Sequence, residues 1–190
     1  MQNLFTSLVI EENSDGSFSS SIKKKSVEDL PVGELLIKVS YSSLNYKDAL
    51  SVSGNKGVTK SYPHTPGIDA VGIVEHSETE KFKIGDEVIV SGFDLGMNTS
   101  GGFGQYIRVP NKWACHLPNG LSALDSMVIG TAGLTAGLSA YELKKLNGIE
   151  GREAVITGAT GGVGTFAIKI LNILGAKITA ITSKKNCEGF

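Results

Sequence analysis

Residues 153–182 read EAVITGATGGVGTFAIKILNILGAKITAIT, and this stretch decides the fold of the second half of the chain. Residues 154–157 predict a buried strand, the glycine-rich segment 158–164 a tight turn, and residues 166–174 a helix. Gly175 stands where a glycine commonly ends a helix, and residues 176–182 predict a second strand. The stretch is therefore one β–α–β unit, the beginning of a doubly wound parallel sheet.

The glycine-rich turn is a candidate phosphate site. Glycines let backbone amides approach a pyrophosphate, and the start of the following helix adds partial positive charge and N–H donors. The candidate cofactor-binding residues of the turn are Ala159, Thr160, Gly161, Gly162, Val163 and Gly164. The alternative is an ordinary glycine-rich turn that binds nothing.

The end of the second strand bears on which dinucleotide is bound. A site for NAD usually places Asp or Glu about 20 residues after the glycine motif, where it holds the ribose 2′-hydroxyl. Here the strand leads into Ser183 and Lys184, whose hydroxyl and ammonium groups suit a 2′-phosphate. We therefore expect NADPH rather than NADH, with both residues in contact with it. In the alternative, the lysines of this segment only form a solvated loop.

The first 120 residues have a different pattern, in which short strands alternate with turn residues. The candidate strands are 4–10, 17–22, 34–41, 70–76, 87–91, 105–109 and 113–117, with one helix at 45–52. This spacing is typical of a β-barrel or sandwich. Near residue 121 it changes to two helices broken near Gly130 and Thr131. We predict a first domain at 1–120, and at 121–190 linking helices followed by the incomplete nucleotide-binding unit.

Composition excludes several classes of protein. The chain has 190 residues, 41% hydrophobic content and a formal net charge of −1, which argue against disorder and against a nucleic-acid binder. It contains no apolar run long enough to span a membrane and no N-terminal secretory pattern, so we expect a cytoplasmic protein. Its two cysteines, Cys115 and Cys187, cannot form a disulfide framework.

The glycine pattern also fits short-chain dehydrogenases, which place a Tyr-x-x-x-Lys pair far downstream of the turn. Tyr141 and Lys145 have that spacing, but they precede the turn. We interpret them as a tyrosine on a helix face and a solvated lysine.

Four motifs together resemble the medium-chain dehydrogenase/reductase superfamily, and within it the YhdH/YhfP group of quinone oxidoreductases, which includes acrylyl-CoA reductases. They are SSLNYKDAL at 42–50, PGID at 66–69, GTAGLTA at 130–136 and TGATGGVG at 157–164. The resemblance implies an α/β protein in which a GroES-like β-barrel domain precedes a Rossmann domain, here truncated, with the active site in the cleft between them. It also implies a homodimer for the full-length protein.

The resemblance implies a zinc-independent, NADPH-dependent oxidoreductase that transfers hydride to a quinone or a conjugated carbonyl, such as an enone or an acrylyl-CoA-like thioester. Tyr46 is the leading catalytic and cofactor-binding candidate, and Asn45 offers an amide donor beside it. Thr131 is a candidate contact to the nicotinamide and Thr135 a weaker one, because threonines in helices often bond back to the preceding turn. The alternative function is a non-catalytic remnant that acts as a binding or structural module.

We expect no metal. Zinc-dependent members of the superfamily carry a cysteine near the position of Asn45 and Gly-His-Glu where this chain has GID at 67–69. The three histidines, His64, His76 and His116, lack ligand spacing, and we expect them at the surface or in loops. Cys115 is expected to be a buried structural cysteine.

Overall fold

The computed structural model describes residues 4–185. Nine strands form in the order β1 Leu4–Glu12, β2 Phe18–Ser26, β3 Leu35–Tyr41, β4 Asp69–Ser77, β5 Glu87–Ser91, β6 Tyr106–Val109, β7 Ala114–His116, β8 Glu153–Thr157 and β9 Lys177–Ile181. The α-helices are α1 Tyr46–Val52, α2 Ala123–Asn147 and α3 Gly162–Ile173. All nine predicted strands are present, and the expected α/β fold class is confirmed.

The described chain divides into two compact units after Gly130. The division lies beyond residue 120 because the first half of α2 packs with the first unit, where Ser43 Oγ donates a hydrogen bond to the Met127 carbonyl at 2.7 Å. Within α2, Gly130 breaks the helix with φ 49° and ψ −160°, at the predicted position. A side chain there would also meet the Ser43 hydroxyl, which lies 2.6 Å from an ideal Cβ.

The first unit is built on a five-stranded sheet in the order β6-β3-β4-β5-β7, all neighbours antiparallel. Strands β1 and β2 form a separate antiparallel pair, and β1 is bridged to Gly104 through Ser7. The core cluster of the sheet consists of aliphatic residues from five strands together with Phe82 and Leu95. Strand β4 is the central strand, and its residues from Asp69 to Gly72 are all buried.

The second unit contains the predicted β–α–β unit. Strands β8 and β9 pair in parallel, and α3 connects them, as expected for a doubly wound sheet. Its core is formed by Ala140, Ile149, Ile156, Ala159 and Leu171. Helix α3 begins at Gly162, about one turn earlier than predicted, because the last glycines of the motif belong to the first turn of the helix.

Two side-chain expectations are wrong. His64 is buried, because it stands in a segment bridged to β1, and its Nε2 lies 2.9 Å from the Gly96 carbonyl oxygen. Cys115 is exposed, because alternation along the short strand β7 points Ala114 inward instead. Cys187 lies outside the described residues. In the part of the chain that the structure describes, no helix combines the length and the apolar character needed to cross a membrane.

Candidate active site and cofactor site

The glycine turn joins β8 to α3 through close backbone contacts. The N–H of Gly161 donates to the Gly158 carbonyl at 2.9 Å, and Gly161 is the N-cap of α3. An ideal Cβ on Gly164 would lie 2.4 Å from the Gly158 carbonyl oxygen, so only a hydrogen fits at that position. The motif therefore brings the turn and the first turn of the helix into direct contact.

A cleft of about 510 Å³ opens between this turn and the end of β9. Its lining residues are Gly158, Thr160, Gly161, Ile181, Thr182, Ser183 and Lys184. The hydroxyls of Thr160 and Thr182 are 2.9 Å apart, and the backbone N–H of Lys184 donates to Thr182 Oγ1 at 3.2 Å. The structure thus brings together four predicted cofactor residues, namely Thr160, Gly161, Ser183 and Lys184, and adds Thr182, which the sequence analysis missed.

The other predicted residues of the glycine turn do not line the cleft. Ala159 is buried, and its N–H donates to the Ile181 carbonyl at 3.1 Å, which fastens the turn to β9. Gly162, Val163 and Gly164 form the first turn of α3, where backbone N–H groups have no intrahelical acceptor. These three amides are the donors that an anionic group at the start of the helix would meet.

Thr131 stands just after the break in α2. Its carbonyl accepts a hydrogen bond from Thr135 Oγ1 at 2.7 Å. Thr135 therefore bonds back to the preceding turn, as the alternative interpretation of that residue expected.

The two predicted catalytic residues lie in the first unit, at the start of α1. Asn45 is the N-cap of the helix, and Tyr46 is its first residue, with 81% of its surface exposed. Lys47 is also exposed. An exposed phenol at the start of a short helix can meet a ligand, whereas the preceding residue, Asn45, is held by two carboxylates.

Asp48 is the first of these carboxylates. It is buried, and it accepts hydrogen bonds from the backbone N–H groups of Asn45 at 2.8 Å, Gly67 at 3.1 Å and Ile68 at 3.0 Å. Burial raises the pKa of Asp48, and the hydrogen bonds from the backbone oppose that rise. Asp48 thereby joins α1 to the segment that precedes β4.

Asp69 is the second carboxylate, which in the sequence was only the last residue of the PGID motif and had no predicted role. It is completely buried at the start of β4, where Oδ2 accepts from Asn45 Nδ2 at 2.9 Å and Oδ1 accepts from the Ser91 hydroxyl. Ser42 Oγ donates to its backbone carbonyl at 2.6 Å. The available signal was an acidic residue directly before the apolar run of a buried strand, where a charge needs partners.

Among residues 4–185, no three His, Cys, Asp or Glu side chains are grouped so that they could hold a metal ion. Asn45 and Asp69, which belong to the two segments compared above with zinc-dependent enzymes, are joined by a hydrogen bond.

Comparison with known proteins agrees with this arrangement. Residues 31–119 match the alcohol dehydrogenase GroES-like domain. Over its whole length the chain is 42% identical to YhfP of Bacillus subtilis, covering 58% of that protein. Over 95% of its length it is 40% identical to the acrylyl-CoA reductase AcuI of Ruegeria pomeroyi, covering 56% of it.

Solved structures show the same similarity. The yhdH oxidoreductase from Salmonella enterica, solved in complex with NADP, has a TM-score of 0.87 and 38% identity over 95% of this chain and 56% of its own. The Bacillus subtilis yhfP protein, solved with NAD bound, has a TM-score of 0.83 and 38% identity over 94% of this chain and 60% of its own.

The fold and these matches define an alcohol dehydrogenase GroES-like domain in the N-terminal part, followed by the start of a Rossmann-like unit. Over nearly its whole length the chain is similar to YhfP, YhdH and AcuI, and the resemblance drawn from the four motifs is confirmed. The chain spans little more than half the length of these relatives.

Proposed function

We propose that this chain carries the cofactor-binding and catalytic groups of a zinc-independent, NADPH-dependent oxidoreductase. The acceptor would be a quinone or a conjugated carbonyl compound such as an enone or an acrylyl-CoA-like thioester. The observation that carries the proposal is the cleft at the glycine turn, where Ser183 and Lys184 face the start of α3 and no described lining residue has a carboxylate. The relatives support it, because YhdH is solved with NADP and AcuI is an acrylyl-CoA reductase.

The donors of the cleft and of the adjoining first turn of α3 fit the phosphates of NADPH. The amides of Gly162, Val163 and Gly164 offer N–H donors to the pyrophosphate. The Ser183 hydroxyl and the Lys184 ammonium would hold the 2′-phosphate, since charge-assisted hydrogen bonds are the strong ones. YhdH is solved with NADP and YhfP with NAD, so the Ser183 and Lys184 side chains are what favour NADPH over NADH in this chain. When bound, the nicotinamide supplies the hydride.

The chain's own residues would act on the acceptor. Reduction of a conjugated alkene leaves negative charge on the carbonyl oxygen, which donors placed in advance can stabilise. The Tyr46 hydroxyl is the group that we assign to this task or to holding the nicotinamide ribose, and Asn45 adds an amide beside it. A contact of Thr131 to the nicotinamide, a homodimeric full-length protein and a cytoplasmic location remain predictions.

The test is nicotinamide fluorescence on the purified chain, titrated with NADPH and with NADH. We expect tighter binding of NADPH. Lys184→Ala should weaken NADPH binding by about tenfold or more, since a hydrogen bond to a charged group contributes about 1.5–3 kcal/mol, and should leave NADH binding unchanged. Lys169→Ala is the matched control, because Lys169 is an exposed lysine further along α3.

Equal affinity for the two dinucleotides would contradict the assignment of Ser183 and Lys184. A folded chain that binds neither would favour the alternative, a binding or structural module without catalytic activity.

A further inference from the structure

We propose that Asp69 is a positioning residue, whose buried carboxylate fixes the orientation of the Asn45 carboxamide at the start of α1. The inference rests on the proposed function, because it assigns Asp69 a role in the reductase site. Asp69 does not itself meet the substrate in this proposal and acts through Asn45.

The burial of Asp69 is the first argument. Its side chain is fully removed from solvent at the start of the central strand β4, where the next residues are Ala70 and Val71. A buried carboxylate is costly unless it is hydrogen-bonded, and a small apolar residue would fit the pattern of the strand at no such cost. Gly130 approaches it closely, since an ideal Cβ there would lie 3.1 Å from Asp69 Oδ2.

The two carboxylate oxygens of Asp69 accept hydrogen bonds from different partners. Oδ1 accepts from the hydroxyl of Ser91 at the end of β5, and Oδ2 accepts from Asn45 Nδ2 at 2.9 Å. The bond from Ser91 ties the carboxylate to the sheet. The bond to Asn45 then decides which end of the amide faces inward, because a carboxylate accepts from nitrogen and repels the amide oxygen.

The start of α1 and the segment at the beginning of β4 are also joined by hydrogen bonds that run in the opposite direction. Asp48 of α1 accepts from the N–H groups of Gly67 and Ile68, just before β4. Ser42 adds a bond to the Asp69 carbonyl. Asn45 is therefore held through both its backbone and its side chain, while the next residue, Tyr46, stays exposed. A rigid base beneath an exposed functional group is what a preorganised site requires.

The test is Asp69→Asn in the full chain. The new side chain keeps the shape and can keep its bond from Ser91, but its nitrogen then faces Asn45 Nδ2, so the Asn45 amide must turn over to present its oxygen. With NADPH and a conjugated acceptor, we expect kcat to fall by about tenfold to a hundredfold, the scale of a small misplacement in a site. The KM for NADPH should stay within about threefold, because the cleft at the glycine turn is untouched.

Ser51→Ala is the matched control. It removes another buried hydrogen bond of α1, the contact of 2.7 Å between the hydroxyls of Ser51 and Thr59, and leaves Asn45 alone. We expect it to lower the melting temperature with little change in kcat. If Asp69→Asn lowers kcat no more than Ser51→Ala does, Asp69 is merely structural and the inference is overturned.

An NMR measurement separates this inference from the proposed function. In the 15N-labelled chain, the Asn45 side-chain amide protons should exchange slowly, and Asp69→Asn should shift them and speed their exchange. If the wild-type chain turns nothing over, the proposed function fails, and these signals alone decide whether Asp69 orients Asn45. Amide signals that are the same in both proteins would refute the inference whatever the activity.

Discussion

The Tyr46 side chain is mostly exposed, so its hydroxyl contributes little to packing and can be removed without harm to the fold. We expect Tyr46→Phe to change the free energy of unfolding by less than about 0.5 kcal/mol, as surface substitutions do. If the hydroxyl donates a proton or stabilises the developing charge, turnover should fall by about 10²–10⁴-fold. Thermal melting and steady-state kinetics check the two parts. Unchanged turnover together with unchanged NADPH affinity would remove Tyr46 from the site.

His64 predicts a pH dependence of stability. Burial lowers the pKa of His64 below its usual 6.5, although the hydrogen bond to the Gly96 carbonyl opposes the shift. As the pH falls below about 6.5, His64 is protonated in the unfolded chain before it is protonated in the folded chain. The stability that the neutral imidazole contributes is therefore complete above about pH 6.5 and is lost as the pH falls. The loss is at most about 1.4 kcal/mol per pH unit.

Denaturant unfolding of the wild type and of His64→Gln, measured between pH 8 and pH 5, checks this expectation. The variant should lose less stability over that interval, because it has no imidazole to titrate. Parallel curves for the two proteins would show that His64 does not contribute to the pH dependence.

The position of a single residue could be predicted from the sequence where the neighbouring strand and turn determine it. Ser183 and Lys184 follow a strand whose neighbour carries the glycine turn, and parallel pairing brings the ends of both strands to one edge. Asp69 was not predictable in this way, because its partners Asn45 and Ser91 are distant in the chain and meet only through the fold.

At the scale of elements, the glycine turn and α3 depend on one close contact. In Gly164→Ala the added methyl would overlap the Gly158 carbonyl, which lies on the rigid backbone of the turn. We expect the turn to open, with a loss of stability of about 1–3 kcal/mol, as for overpacking elsewhere, and with the loss of NADPH binding. Differential scanning calorimetry and the fluorescence titration measure the two effects.

Gly137→Ala is the control for this substitution. Gly137 lies in α2, and a Cβ there would meet nothing within 4 Å. Alanine should therefore stabilise the helix by about 0.5–1 kcal/mol, because glycine is a poor helix former. A Gly164→Ala variant that is as stable and binds NADPH as well as this control would show that the close contact relaxes without cost.

The strands and helices could be predicted from apolar patterns and turn residues, because these signals are local. The pairing of the strands could not be predicted in this way. The order β6-β3-β4-β5-β7 places β6 at the edge beside β3, far from its neighbours in sequence. Such an order depends on long-range contacts that no local pattern contains. The start of α3 was misplaced for a local reason, since glycines are typical of turns and also occupy the first turn of this helix.

At the scale of the whole molecule, the second unit exposes apolar surface on a parallel sheet. Val155 of β8 is 65% exposed and Ile181 of β9 is 50% exposed. Parallel sheets are normally covered on both faces, and uncovered strands are templates for further pairing. The sequence predicts a truncated doubly wound sheet, and the relatives matched by the chain are longer than it.

A polypeptide of residues 1–190 alone is expected to associate in solution through this exposed sheet. Val155→Thr keeps a β-branched residue in the strand but reduces the apolar surface, so we expect less light scattering and weaker binding of a hydrophobic dye at equal protein concentration. Val32→Thr is the control, because Val32 is almost fully exposed in a loop of the first unit and belongs to no sheet. If both substitutions reduce association equally, the effect reflects general surface hydrophobicity. If neither does, the β8–β9 sheet is not where copies of the chain meet.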